Sequence, residues 1–156
     1  MIRRVVMAAL LCALCLTVVA LAADKPDFSG SWKLNVEKSD FGPSAKPERA
    51  DITIKHVDPE LNVSSKAVLT TGEVVSELKL FTDGREFTNL MSGQELKGTA
   101  KWDGRTLILT QKISVQGADI SVTQKWTLAE DGKSLLQNVA ISVPQGEIRQ
   151  KFVLEK

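Results

Sequence analysis

Cysteine is nearly missing from this chain. Both copies, Cys12 and Cys15, fall in the first 22 residues. Those residues read as an export signal. Arg3 and Arg4 make a basic start, Val5–Ala20 form an uncharged apolar run, and Ala20-Leu21-Ala22 offers small residues at the two positions that matter for cleavage before Ala23. The run is shorter than the ~20 residues that span a bilayer. With 1–22 removed, residues 23–156 form one domain without a disulfide, a thiolate nucleophile or a cysteine metal site. An exported domain built this way points to a bacterial periplasm or the cell exterior.

Histidine is equally scarce. His56 stands alone, so no pair of imidazoles can grip a metal. Charge of one sign is lacking too. Taking the two arginines of the signal from the 20 basic residues leaves 18, against 19 acidic ones. No basic cluster stands out, which argues against nucleic acid and, once the signal is gone, against a membrane surface. Helical periodicity is absent throughout. The carboxylates gather at turns (Asp58, Asp83, Asp103, Asp131), and no titratable pair falls in an apolar phase. The composition therefore predicts a non-enzymatic monomer that needs no cofactor.

Alternation with a period of two fills the space left by these absences. Trp32/Leu34, Ile52/Ile54, Leu61/Val63, Leu78/Leu80, Phe87/Asn89, Leu96/Ala100, and four clear strands within 107–115, 120–128, 135–143 and 148–154 each show one apolar and one polar face. Asp83-Gly84, Asp103-Gly104 and Asp131-Gly132 are hairpin dipeptides. The pattern predicts an all-β fold of about ten (8–10) strands in hairpin succession. Closure into an up-and-down antiparallel barrel would remove the two free edges of such a meander. A β-sandwich is the alternative.

One polar pattern stands out. Gln111, Gln124, Gln137 and Gln150 recur every 13 residues on the last four strands, each in the apolar phase. They should form a slanting row of amides inside the barrel, with Ser65, Ser76 and Asn89 sharing that interior. A buried amide without a partner costs about 1–3 kcal/mol. The row must bond to itself, to water or to a ligand. Trp102 and Trp126 share the interior.

Gly30-Ser31-Trp32 on the first strand, followed by up-and-down strands, resembles the G-x-W start of the lipocalins and fatty-acid-binding proteins, the calycin group. The resemblance implies a container for small, mostly apolar molecules, with Trp32 packed across one end and Gly30 leaving room beside it. The chain departs from that group in three respects. The space between the first two strands, Glu37–Arg49, holds Phe41-Gly42-Pro43 and Pro47 and reads as a loop, not a helical pair. The inward Arg-x-Tyr that grips a carboxylate in fatty-acid-binding proteins corresponds here to Gln150 and Phe152. The basic residue that lipocalins lay over the Trp has Arg149 as its nearest counterpart, though in the outward phase. These readings make Gln111, Gln124, Gln137, Gln150, Trp126 and Phe152 the candidate ligand contacts, for a small hydrophobic or amphipathic molecule. A filled barrel acting as a structural or protein-interaction domain is the alternative, and interior volume separates the two.

Overall fold

The structure is a computed structural model in which residues 24–156 are described. The signal segment 1–22 and its cut before Ala23 lie outside the described residues. Ten strands follow one another: β1 (Gly30–Leu34), β2 (Arg49–Val57), β3 (Glu60–Leu69), β4 (Gly72–Phe81), β5 (Asp83–Met91), β6 (Gln94–Asp103), β7 (Thr106–Val115), β8 (Ala118–Leu128), β9 (Ser134–Val143) and β10 (Gly146–Glu155). All are antiparallel in a single sheet ordered β4-β3-β2-β1-β10-β9-β8-β7-β6-β5. Each strand pairs with its sequence neighbour except β4 and β5, and β1 pairs with β10 to bring the two ends of the meander together. This is a nearly closed barrel, not a sandwich.

Closure stops at one seam. No backbone ladder joins β4 to β5, although Thr82 alone separates them in sequence. The expectation that closure removes both edges is therefore corrected. The Asn89 side chain does the work of the missing ladder. Its Oδ1 accepts from the Lys79 N–H (2.9 Å) and its Nδ2 donates to the Lys79 carbonyl (3.0 Å). Asn89 thus lies in the seam, while Ser65 and Ser76 bond to each other across β3 and β4 at 2.7 Å. Asn89→Ala should cost about 1–2 kcal/mol for two bonds lost at a partly wet site. Amide hydrogen exchange checks this directly. Exchange at Lys79 should accelerate, and unchanged exchange would contradict the clamp.

The barrel has two unlike ends. At the base, Phe28, Trp32, Ile54, Leu61, Leu80, Leu107, Trp126, Leu135 and Leu154 make a dry core. Trp32 donates its indole N–H to the Phe28 carbonyl at 3.0 Å. Lys156, the last residue, lays its ammonium 4.9 Å from the centre of the Trp32 ring, near enough for cation–π attraction. Arg149 is not that residue: it is exposed and bonded to Glu147. Gly30 holds φ at +139°, and a Cβ there would stand 3.2 Å from Lys156 Cε. The backbone angle calls for glycine, whereas the Lys156 side chain could swing aside.

At the other end the geometry differs because β1 has 5 residues whereas its neighbours β2 and β10 have 9 and 10. Above Leu34 the sheet would gape between β2 and β10. The segment 35–48 fills this gap as a strap. It runs along β10 through Asn35 N–H to Val153 O and a two-way bridge between Asp40 and Lys151. It then crosses to β3, where Glu48 N–H donates to Val68 O. No helix forms in it, in keeping with its Gly and prolines.

Candidate functional site

Beneath the strap lies a cleft of about 390 Å³. Its walls come from the inward phases of β1, β2, β3, β9 and β10: Leu34, Ile52, Ala67, Gln137, Phe152 and their neighbours. Phe41, Ala45 and Pro47 of the strap cover it. The Phe41 and Phe152 rings meet at 5.6 Å between centroids. The small side chains Ala50 and Ala67 create the space, since larger residues at these inward positions would fill it. Two further concavities, of about 400 and 450 Å³, are lined largely by the outward phase (Lys55, Glu77 and Lys79; Lys125, Glu147 and Arg149) and belong to the wet outer face.

The glutamine row divides into three parts. Trp126 Nε1 donates to Gln124 Oε1 at 3.0 Å, and Gln124 Nε2 donates to Gln111 Oε1 at 2.9 Å. An indole can only donate, so it fixes which end of the Gln124 amide faces which neighbour. Gln111 is buried beside Gly98. These three residues form a hydrogen-bonded chain on the packed side of the interior, away from the cleft lining. Gln150 is different. Its Nε2 donates to Phe41 O (2.9 Å) and Ser44 Oγ (2.7 Å), so it fastens the strap. Gln137 lines the cleft, and its side chain makes no hydrogen bond to any described residue. Of the six candidate contacts, Gln137, Gln150 and Phe152 meet at the cleft, whereas Gln111, Gln124 and Trp126 do not.

His56 sits at the base, far from the mouth-end strap. Its ring stacks against Phe28 (5.7 Å) and Trp102 (6.0 Å). Nδ1 accepts from the Phe28 N–H at 3.4 Å, so the proton of the neutral ring lies on Nε2, which has no partner. Asp58 Oδ1 is 3.9 Å from Nε2 and Asp27 Oδ1 is 3.7 Å from Nδ1. The Thr82 hydroxyl, aided by Lys25, holds the Asp58 carboxyl below its usual range. Burial pushes His56 below its ordinary 6.5, with the two carboxylates opposing and Lys25 reinforcing that shift.

The sign of the pH effect follows. Below about 6.5 the unfolded chain takes up a proton that the folded chain refuses. The His56 contribution is complete above 6.5 and is lost as pH falls through the folded value. Urea unfolding between about pH 7 and pH 5 should show stability falling with acid. His56→Gln should flatten that slope, and an unaltered slope would contradict this account. Among the described residues, no group of three or more His, Cys, Asp or Glu could hold a metal ion.

No protein family matches the sequence, and no curated protein does either. Solved structures do match the barrel. Zebrafish ileal bile acid-binding protein, complexed with cholic acid, aligns at TM-score 0.60 and 16% identity over 83% of this chain and 98% of its own. The two share an up-and-down β-barrel fold. A secretory abundant heat soluble protein from Ramazzottius varieornatus aligns at 0.57 and 11% identity, over 82% and 93% of the two chains. The fatty-acid-binding protein of Manduca sexta aligns at 0.50 and 13% identity, over 82% and 98%. At these identities the likeness is one of fold. Trp32 and Phe28, the latter from the segment before β1, pack together at the base. Phe28 is fully buried and touches His56, Trp102 and Trp126.

Proposed function

We propose that this protein is an exported carrier or receptor for a small apolar or amphipathic molecule, held in the cleft under the strap, and that it catalyses no reaction. The observation that carries the proposal is a cleft of about 390 Å³ with mainly apolar walls and one unpartnered amide, Gln137. Ligand sites are typically about 300–1,000 Å³ and combine apolar walls with a few placed polar groups. The likeness to proteins described as binding bile acid or fatty acid supports the reading. Export rests on residues 1–22 alone, and a mature chain beginning at Ala23 in the periplasmic or secreted fraction would support it.

Titration with Nile red, a neutral dye that brightens in apolar surroundings, tests the cleft. The purified domain should brighten the dye saturably. Ala67→Trp should fill the cleft and abolish the signal while the far-ultraviolet circular dichroism stays that of the native barrel. Equal dye binding by a folded Ala67→Trp variant would place the dye elsewhere and sink the proposal.

A further inference from the structure

The cleft has a chemical bias that apolarity alone does not express. Among the described residues, its fourteen lining residues include no Lys, Arg, His, Asp or Glu. The polar side chains are Ser44, Ser65, Gln137 and Gln150. Three of these are engaged: Ser65 with Ser76, and Gln150 with both Ser44 and the Phe41 carbonyl. Among these four, only the Gln137 side chain makes no hydrogen bond to a described residue, so its whole amide is open to a ligand. It lies on β9 beside Phe152, its cross-strand partner on β10.

We infer that the ligand is an uncharged amphiphile, with a hydroxyl, aldehyde, ketone or ester head that bonds to Gln137, and that the site discriminates against ionised carboxylates. The inference rests on the carrier reading above and narrows its ligand class. Moving an ionised carboxylate out of water without a counter-charge carries a penalty far larger than that for a hydroxyl or carbonyl. Nothing lining the cleft supplies the counter-charge. A single amide can meet the needs of a neutral head completely. Its N–H donates to a carbonyl or hydroxyl oxygen, and its oxygen accepts from a hydroxyl. Two lysines near the mouth, Lys46 and Lys66, are paired at the surface with Glu37 and Glu73.

A matched pair of ligands tests this. Decan-1-ol and decanoate share a chain length and differ only at the head. At about pH 8 the acid is ionised. Each is titrated against the Nile red complex of the mature domain. Decan-1-ol should displace the dye with an affinity at least about tenfold higher than decanoate. Gln137→Leu should shrink the alcohol's affinity by about threefold to tenfold, the loss of one ligand hydrogen bond. Gln137→Arg should supply the missing charge and raise decanoate affinity above its wild-type value. Decanoate binding as tightly as decan-1-ol, or more tightly, overturns the inference and leaves the carrier reading intact. If Nile red itself does not bind, or still binds a folded Ala67→Trp variant, the carrier reading fails and the inference with it. The wild-type comparison decides the matter even if the arginine variant does not fold.

Discussion

Trp32→Ala should lower the unfolding free energy by about 3–5 kcal/mol, the range for deleting a buried large aromatic. The ring is 1% exposed. It touches the core formed by Phe28, Ile54 and Leu154 and carries Lys156 on its face. The substitution also strips the donor from the Phe28 carbonyl, leaving a buried acceptor that must find water. A domain of this size has about 5–15 kcal/mol of total stability, so the variant should lose a large share of it. Urea unfolding followed by circular dichroism measures the loss. Trp32→Phe separates the two causes, since it retains most of the packing and removes the hydrogen bond. It should cost about 1–2 kcal/mol. A loss below about 1 kcal/mol for the alanine variant would mean that Trp32 does not close the base.

Gly98→Val should be nearly as damaging, for the opposite reason. Gly98 lies on β6 with its missing side chain aimed inward. A Cβ there would stand 2.5 Å from the Thr110 carbonyl oxygen, 2.8 Å from the Phe87 ring and 3.0 Å from Gln111 Cγ. The nearest atom is backbone and cannot swing aside. The two extra methyl groups of valine add to the overlap, and the expected loss is about 3 kcal/mol. Gln111 would be displaced from Gln124, so the indole–amide–amide chain should break as well. The Trp126 indole N–H resonance in a proton–nitrogen spectrum reports that chain. It should shift in Gly98→Val, and an unshifted resonance with full stability would contradict the packing described.

The strand pattern was legible because nearly every strand has one wet and one dry face, and Asp103-Gly104 and Asp131-Gly132 mark turns, whereas Asp83-Gly84, read as a hairpin dipeptide, lies inside β5, which forms no ladder with β4. The inward phase of the four glutamines was legible for the same reason. Their division of labour was not. Which amide meets an indole, which ties down the strap and which stays free depends on where segment 35–48 crosses, and that segment has no periodicity. Asn89 shows a similar limit. Its phase matched the interior, but its partner is the backbone of β4, which comes within reach only because the sheet fails to close there. Phe28 and Lys156 lie outside the strands, before β1 and after β10, where alternation gives no signal. Composition hinted at neither. Barrel closure brings both to Trp32, and the role imagined for Arg149 passes to Lys156.

The central claim is that a ligand sits in the cleft under the strap. Amide proton–nitrogen chemical-shift mapping of the mature domain, with and without saturating decan-1-ol, tests it most directly. The largest shifts should fall at Leu34, Ile52, Ala67, Gln137 and Phe152 and in the strap around Phe41, with small shifts at Phe28, His56 and Trp126. Shifts confined to the outer face of the sheet or to the base, or no saturable shifts at all, would contradict it.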